Sequence, residues 1–597
     1  MKLTNQQEIA ASHINGPILV LAGPGAGKTT MLLARIENLS KYTNPSHILT
    51  ITFSKSQALD MEERYEYEKT NFMTIHAFCY LIIRNYLKKN NKVLRLLESD
   101  KEYNKYDLVK NIYFKINNKK ISNEDLNEFF RDMSFMKNAM ADENYLENSN
   151  VKNCLKIYRV YENFKIKNFY IDFDDMQVMA LKLIQNDEKL LNSIRRKYKY
   201  IQVDEGQDTS IIQFKIIELI SAPSNNLMIV ADDDQAIYSF RASDTSYLLN
   251  FKEKYPNAKI IKLNENHRSS KNIVAISSRF ISLNKFRYKK DLYTNNDLTG
   301  IVSIRFSKNV KDQYRYIIKN LSRSNKNAIL FRNNIQALNI ISFLMENGID
   351  FCVKFSDVDF FESKIIEDFF TIIEFSENFY RIDLFEEMYF KIRTFLTKED
   401  IISLSYKPIN KNIFDFFYDA NLEDYKIDSL IQREKELTHL RKLTLDKKIS
   451  FIYKFMGYKD YISNFSKRHR EEVVNKDLFV ESLTNFTKGL KNREDFEDKK
   501  TKLRTYFDKA NSNLILSSIH KSKGLEYDRV FIINLNKNEF PMIIDNSDFD
   551  KKLEEERRVM YVAMTRAKTE LHLLAIKKRG GENLHPSIFI NEIQSLF

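Results

Sequence analysis

Three of the chain's 12 glycines fall within five residues, in the segment GPILVLAGPGAGKTT that begins at Gly16. Glycine lets backbone N–H groups turn toward an anion with no Cβ in the way. The pattern predicts a phosphate-binding loop, in which Lys28 reaches the β- and γ-phosphates and the Thr29 hydroxyl holds Mg²⁺. The residues expected at the nucleotide are Ala22, Gly23, Pro24, Gly25, Ala26, Gly27, Lys28, Thr29 and Thr30.

A second candidate for chemistry is the acidic pair at the end of the apolar run in YKYIQVDEGQDTS. Asp204 is expected to hold the Mg²⁺ shell, and Glu205 to polarise the water that attacks the γ-phosphate. A further apolar run, in LMIVADDDQAIYSF, places Gln235 in a loop that is suited to sensing the γ-phosphate. Together with Lys28, these residues predict a site that binds and hydrolyses a nucleoside triphosphate with Mg²⁺.

The elements that must position these residues follow from hydrophobic spacing. Residues 18–21 form a short apolar run typical of a buried strand, and Leu32, Leu33, Ile36 and Leu39 recur at helical spacing. Further strand-like runs are ILTITF (48–53) and AKIIKL (258–263). Alternating strands and helices predict an α/β fold with parallel sheets covered on both faces.

Composition limits the class of protein. With 597 residues the chain has material for about four domains, and its 43% hydrophobic content excludes a largely disordered protein. The net charge of +13 favours a polyanionic partner, although a coding bias toward Lys, Asn and Ile explains it equally well. Three scattered cysteines and nine histidines without ligand spacing argue against a disulfide framework or structural metal. With no apolar run near ~20 residues and a polar N-terminus, we expect a soluble cytoplasmic protein.

The motifs occur in one order from end to end of the chain, and together they resemble those of the UvrD/Rep/PcrA-type superfamily 1 DNA helicases. The segments that carry the resemblance are LTNQQ, AGPGAGKTT, ITFSKSQALDMEER (51–64), MTIHAF (73–78), IDFDDM (171–176), VDEGQDTS, ADDDQAIYSFRAS (231–243), LNENHRSS (263–270), AILFRNNIQAL (328–338), GIDFCVKFSDVDFFESKIIEDFF (348–370), SSIHKSKGLEYDRVFIINL (517–535) and LEEERRVMYVAMTRAK (553–568).

The resemblance implies roles for further residues. Gln7 matches the glutamine that reads adenine, Gly524 and Glu526 are expected near the ribose, and Arg268 and Arg566 match arginine fingers that reach the transferring phosphoryl group across a cleft between two motor domains. The positions that match strand-contacting residues are Phe53, Thr74, His76, Tyr238, Phe240, Arg241 and His520.

Three positions depart from the family pattern. Phe240 stands where relatives commonly have Trp, and a smaller ring predicts a weaker grip on bases. His267 stands where relatives usually have a Tyr that stacks on adenine, and Thr30 replaces a frequent basic residue.

The resemblance also implies two RecA-like motor domains, each interrupted by a helical subdomain. The first motor domain is predicted at 1–88 and 195–276, and its insertion at 89–194. The second is predicted at 277–370 and 510–597, and its accessory insertion at 371–509. Because the chain ends soon after the last motif, we expect no fused nuclease domain.

Two functions from different classes remain open at this stage. The leading prediction is an ATP-dependent translocase that moves 3′ to 5′ on single-stranded DNA and unwinds tailed duplex, in DNA repair, replication or phage defence. The alternative is a nucleotide-switched regulatory ATPase subunit that works with a nuclease or repair factor in trans. An unrelated P-loop enzyme such as a small-molecule kinase leaves the motifs beyond residue 260 unexplained.

Overall fold

The computed structural model describes residues 3–65, 70–100, 102–354, 358–361, 363–468, 473–507, 512–543 and 548–597. The chain forms two compact units. The first comprises Met1–Val302, Asp548–Leu571 and Asn591–Phe597, and the second comprises Ser303–Ser547 and His572–Ile590. Two predictions fall partly outside the described residues, namely positions 355–357 and 362 of the 348–370 motif and the domain boundary between 509 and 510.

A six-stranded parallel sheet forms the centre of the first unit. The strands up to residue 263 are β1 (Ile18–Ala22), β2 (Ile48–Thr52), β3 (Asn71–Thr74), β4 (Arg95–Leu96), β5 (Tyr170–Ile171), β6 (Tyr200–Val203), β7 (Leu227–Ala231) and β8 (Lys259–Leu263). The sheet order is β3-β2-β6-β7-β1-β8 with every neighbouring pair parallel, while β4 and β5 form a separate parallel pair. Strands β1, β2 and β7 are buried along their whole length, as expected of strands covered on both faces.

The helices up to residue 281 cover this sheet and build a helical subdomain beside it. They are α1 (Asn5–Ala11), α2 (Lys28–Ser40), α3 (Lys55–Arg64), α4 (Ile75–Lys89), α5 (Lys105–Asn117), α6 (Asn123–Asn138), α7 (Cys154–Lys167), α8 (Phe173–Asn186), α9 (Glu188–Lys197), α10 (Ile211–Ser221), α11 (Thr245–Leu249), α12 (Phe251–Lys254) and α13 (Lys271–Ile281). Helices α5, α6 and α7 enclose a core of their own, which includes Phe129, Met133 and Tyr161.

A second six-stranded sheet is built from later strands. These are β9 (Ile301–Ser307), β10 (Asn327–Phe331), β11 (Cys352–Lys354), β12 (Leu514–Ser518), β13 (Tyr527–Ile532) and β14 (Ala567–Ile576), followed by a hairpin of β15 (Lys578–Arg579) and β16 (Glu582–Asn583). The sheet order is β11-β12-β10-β13-β14-β9, and the β11–β12, β12–β10 and β10–β13 pairs are parallel. The division between the two units falls within β9 and β14.

The helices after β9 pack on one large apolar core that also includes sheet residues such as Ile329 and Phe531. They are α14 (Val310–Lys319), α15 (Asn334–Glu346), α16 (Val358–Phe361), α17 (Lys364–Glu377), α18 (Ile382–Met388), α19 (Lys398–Ile402), α20 (Ile413–Tyr418), α21 (Asp424–Leu440), α22 (Leu445–Phe455), α23 (Tyr458–Arg468), α24 (Val473–Phe486) and α25 (Arg493–Phe507). The last two helices are α26 (Phe549–Met564) and α27 (Ile588–Gln594).

The α/β fold class with two parallel-strand sheets and helical insertions is confirmed. The grouping by contacts places Asp548–Leu571 in the first unit, where α26 packs against α13 and the turn at Asp233–Gln235. The predicted domain boundaries follow the motifs, not the contacts, and they stay a prediction. Within the described ranges, the chain contains no helix that is both long and apolar enough to cross a membrane.

Candidate nucleotide and strand-binding site

The glycine-rich loop lies between β1 and α2, where the sequence places it. Gly25 and Gly27 have φ values of +67° and +70°, in the left-handed region that favours glycine. A Cβ on Gly25 would lie 2.7 Å from the Arg268 Cβ, and one on Gly27 would lie 2.6 Å from the Gln7 Nε2. Both glycines are therefore needed for the shape of the loop and for the close approach of its neighbours.

Three side-chain and backbone groups hold the carbonyl side of this loop. The Gln7 Nε2 donates to the Ala26 carbonyl at 2.9 Å, the Asn266 Nδ2 donates to the Pro24 carbonyl at 2.7 Å, and the His267 N–H donates to the Gly25 carbonyl at 2.9 Å. Carbonyls turned toward the protein leave the opposite side of a loop to its N–H groups, which is the arrangement that binds anions. Asn266 was not singled out in the sequence, although it lies inside the LNENHRSS motif.

Lys28 and Glu205 form an ion pair at the start of α2. The Lys28 Nζ lies 2.6 Å from the Glu205 Oε1, and both side chains are largely buried. Burial alone would lower the pKa of Lys28, but the negative charges of Glu205, Asp204 and Asp232 outweigh it and raise that pKa. Glu205 also has a φ of +53°, a costly conformation for a residue with a Cβ. The fold therefore holds the predicted water-polarising carboxylate beside the predicted phosphate-binding lysine.

Asp204 is a strongly perturbed carboxyl group at this edge of the sheet. It is buried, and its Oδ1 accepts a hydrogen bond from the Glu205 N–H at 3.0 Å. Burial and the adjacent charge of Glu205 raise the pKa of Asp204 to about 7. Asp204 and Glu205 supply carboxylate oxygens and Thr29, in the first turn of α2, supplies a hydroxyl oxygen; oxygen donors of this kind suit Mg²⁺. The residues present therefore fit the predicted cation.

A continuous chain of hydrogen bonds runs from Glu205 to Arg566. The Gln207 Nε2 donates to the Glu205 Oε2 at 2.5 Å, and the Gln207 Oε1 accepts from the Asp232 N–H at 2.9 Å. The Gln235 Nε2 donates to the Asp232 Oδ2 at 2.7 Å, and the Gln235 Oε1 accepts from the Arg566 Nη2 at 3.0 Å. Through this chain, the structure connects Arg566 with the predicted carboxylates and Gln235, and every residue in it belongs to the first unit.

The two predicted finger arginines both lie at the turn that ends α26. The Arg268 Nη1 donates to the Thr565 carbonyl at 3.4 Å, and Arg566 follows Thr565 directly. Arg566 is only 1% exposed, and its Nε donates to the Val562 carbonyl at 2.9 Å. Carbonyl groups at the end of α26 therefore accept hydrogen bonds from both arginines, Val562 from Arg566 and Thr565 from Arg268.

The residues predicted to contact a DNA strand form an aromatic cluster. The rings of Phe53 and Tyr238 stack at 5.3 Å between centroids, and Phe240 meets Tyr238 edge to face at 5.8 Å. The Arg241 guanidinium lies over both Tyr238 and Phe240, at 5.5 and 5.8 Å from the ring centres. Because Phe53 and Phe240 are exposed, the cluster presents ring faces and a cation to solvent, which is the chemistry that binds single strands.

The remaining predicted residues lie at helix starts and turns. Thr74 is the N-cap of α4 and accepts from the Ala77 N–H at 3.2 Å, and His76 is half-buried in the first turn of that helix. His520 and Gly524 lie in the turn after β12, and Glu526 is exposed just before β13. These last three residues belong to the second unit. The roles assigned to all of these residues stay predictions.

The sequence analysis missed a buried ionic cluster beside Gln235. The Lys290 Nζ lies 2.6 Å from the Asp232 Oδ1, 2.6 Å from the Asp233 Oδ1 and 2.8 Å from the Asp234 Oδ2, and Arg287 forms two hydrogen bonds with the Asp234 carboxylate. All three carboxylates and Lys290 are buried. Burial lowers the pKa of Lys290, but the three negative charges outweigh it and raise that pKa well above its usual range. Nothing in sequence separates Lys290 from the other 93 Lys and Arg residues.

A phosphate-binding loop before a helix, with carboxylates at the ends of neighbouring parallel strands, defines the class of P-loop nucleoside triphosphatases. Residues 3–256 match the UvrD/REP helicase N-terminal domain, and residues 261–578 match the UvrD-like helicase C-terminal domain. The chain therefore belongs to the UvrD/Rep helicase family, and the resemblance found in its motifs is confirmed.

Relatives of the chain match over nearly its whole length. A probable DNA helicase II homolog of Mycoplasma capricolum is 30% identical, over 99% of this chain and 87% of the relative. The ATP-dependent DNA helicase Rep of Buchnera aphidicola is 28% identical, over 99% of this chain and 96% of the relative. The ATP-dependent DNA helicase PcrA of Bacillus subtilis is 27% identical, over 98% of this chain and 85% of the relative.

The ionic cluster yields a prediction about stability. Replacing Lys290 with Met leaves three buried carboxylates without their shared cation, so Lys290→Met should lower the free energy of unfolding by about 3–5 kcal/mol. Chemical denaturation measures the change. The matched control is Lys289→Met, because Lys289 is exposed in the neighbouring position. Equal stability of the two variants would contradict the importance of the cluster.

Proposed function

We propose that the chain uses ATP hydrolysis to move 3′ to 5′ along single-stranded DNA and to separate the duplex ahead of it, in DNA repair, replication or phage defence. Membership of the UvrD/Rep helicase family supports the coarser statement, that the chain is an ATP-dependent DNA helicase. The observation that carries the proposal is the continuous set of contacts from Lys28 through Glu205 and Gln235 to Arg566.

The proposed chemistry follows from these contacts. Lys28 and the loop N–H groups bind the β- and γ-phosphates of ATP, and Glu205 orients and polarises the attacking water. Thr29 and Asp204 would hold Mg²⁺, which when bound neutralises charge on the phosphate oxygens. Arg268 and Arg566 stabilise the charge that develops on the transferring phosphoryl group. Binding of the adenosine part is proposed for Gln7, His267, Gly524 and Glu526.

Movement is proposed to start in the segment that carries Gln235. Gln235 contacts Arg566, and Tyr238 lies only three residues further along the same segment, in the aromatic cluster with Phe53 and Phe240. A change in the contact between Gln235 and Arg566 during hydrolysis therefore shifts rings that are proposed to hold DNA bases. Thr74, His76 and His520 are proposed to contact the same strand.

The finger role of Arg566 predicts a separation of turnover from binding. Arg566→Ala should lower DNA-stimulated ATP turnover about 10³-fold or more, while affinity for ATP changes far less, because a finger acts mainly on the transition state. Steady-state hydrolysis and fluorescent-nucleotide binding measure the two quantities. Arg279→Ala is the control, since Arg279 is exposed on α13. A comparable loss of binding and turnover would argue against the assignment.

The aromatic cluster predicts a specific loss of strand affinity. Phe240→Ala should weaken binding of single-stranded DNA by about 1–3 kcal/mol, the usual contribution of one stacked base. Fluorescence anisotropy with a labelled oligonucleotide measures the change, and Phe286→Ala serves as control because Phe286 is an exposed phenylalanine outside the cluster. Unchanged affinity in Phe240→Ala would remove this residue from the proposed strand path.

The direction of movement is tested with two duplex substrates that differ only in the end of the single-stranded tail. With ATP, unwinding of the 3′-tailed duplex alone is the expected result. Unwinding of the 5′-tailed duplex alone would reverse the proposed direction. Unwinding of neither duplex, with DNA-stimulated ATPase retained, would favour a regulatory ATPase subunit, which the family comparisons do not favour.

A further inference from the structure

A cluster of buried amide and hydroxyl groups lies between the helical subdomain and the sheet of the first unit. Asn138 is the last residue of α6, Gln177 lies on α8, and Ser210 is the N-cap of α10. The Asn138 Oδ1 lies 3.2 Å from the Gln177 Nε2 and 3.2 Å from the Ser210 Oγ. The Gln177 Nε2 lies 3.2 Å from the His76 Nε2. We call Asn138, Gln177 and Ser210 the amide cluster.

The acceptors around Asn138 determine the orientation of every amide in the cluster. The Asn138 Nδ2 faces the Ser134 carbonyl at 2.9 Å and the Asp174 Oδ1 at 3.1 Å, and both of these groups accept hydrogen bonds. The Asn138 Oδ1 must therefore face Gln177 and Ser210. It follows that Gln177 presents its Nε2 group, with two N–H bonds, to Asn138 and to His76.

This orientation determines which nitrogen of His76 carries the proton. Because the Gln177 Nε2 donates, the His76 Nε2 must accept, and the proton of the neutral ring lies on Nδ1. Burial lowers the pKa of His76 and favours this neutral form. Phe173, also on α8, packs edge to face on the imidazole at 6.5 Å between centroids. Groups of α8 thus set both the tautomer and the surroundings of a residue proposed to contact DNA.

The other end of the amide cluster touches the carboxylate segment of the nucleotide site. Ser210 follows Glu205 by five residues, and Gln207, which bonds Glu205, lies between them. The helical side is firmly held, because the Lys137 Nζ, next to Asn138, pairs with Glu162 at 2.7 Å and Asp175 at 2.6 Å. One buried amide, Asn138, is therefore linked both to His76, through Gln177, and to the segment that carries the catalytic carboxylates.

We propose that Asn138 and Gln177 are positioning residues, which hold His76 in its Nδ1–H form and connect strand contact at His76 with the carboxylate segment at Asp204–Ser210. Through them, the helical subdomain at 89–194 contributes to the stimulation of ATP turnover by single-stranded DNA. This inference rests on the proposed function, since it assumes that His76 contacts the strand. Sequence analysis assigned no role to either residue.

The test compares two variants that break the cluster on opposite sides. Gln177→Met keeps the length of the side chain but removes the donor to His76, and Ser210→Ala removes the hydroxyl that bonds Asn138. The measurements are ATP turnover without DNA and with saturating single-stranded DNA, and the tautomer of His76 by NMR of ¹⁵N-histidine-labelled full-length protein. His76→Asn assigns the signal among the nine histidines.

Both variants should lower the ratio of DNA-stimulated to DNA-free turnover about 5-fold or more, the lower end of usual coupling between sites. Gln177→Met should also shift His76 from the Nδ1–H tautomer, whereas Ser210→Ala should leave the tautomer unchanged. Ser134→Ala is the matched control, because the Ser134 hydroxyl contacts Asn138 on the side away from Gln177 and Ser210. It should keep the wild-type ratio.

Two results would overturn the inference while leaving the proposed function intact. One is a wild-type ratio of stimulated to DNA-free turnover in both Gln177→Met and Ser210→Ala, and the other is an Nε2–H tautomer of His76 in the unaltered protein. Absence of any DNA stimulation in the unaltered protein would instead refute the proposed function, and the coupling with it. If Gln177→Met fails to fold, Ser210→Ala decides the coupling and the tautomer of the unaltered protein decides the orientation.

Discussion

Negative charge collected at one edge of the first sheet is the constraint on which the site depends. Asp204 and Glu205 follow β6, and three further carboxylates, at 232–234, follow β7. Parallel strands bring these groups together because their carboxyl ends meet at the same edge. Carboxylates buried this closely are unstable without cations. The structure supplies Lys28 to the first pair and Lys290 with Arg287 to the second group.

The same need for charge compensation positions the predicted catalytic groups. Lys28 is held beside Glu205 by charge, and Gln235 is held by Asp232, whose carboxylate Lys290 neutralises. Arg566 then donates to the Oε1 of the Gln235 amide. Lys290, which stabilises the fold at one end of the network, is therefore connected to Arg566, the predicted arginine finger at the other end, because each hydrogen bond orients the next one.

The helical subdomain contacts His76 and the segment after Glu205 through neutral groups. Asn138 is hydrogen-bonded to Ser210 and Gln177, and Gln177 is hydrogen-bonded to His76. Their orientation follows from acceptors in α6 and α8. Amide groups are well suited to this position, because they carry directional donors and acceptors without adding charge to an edge that already holds an excess of carboxylates.

Local patterns in the sequence were sufficient for the fold class, and they also led to the residues that are predicted to bind phosphate. The closely spaced glycines at 23, 25 and 27 predict a loop, and carboxylates that directly follow apolar runs predict the ends of strands. Both predictions succeed from sequence because loop shape and strand ends are local properties. The partners of these groups were decided only by tertiary structure. Lys290, Asn266 and Asn138 lie far along the chain from Asp232, Pro24 and Ser210, which they contact. Their residue types are common, so no spacing distinguishes them. Compensation of buried charge and satisfaction of buried amides depend on which segments meet in three dimensions.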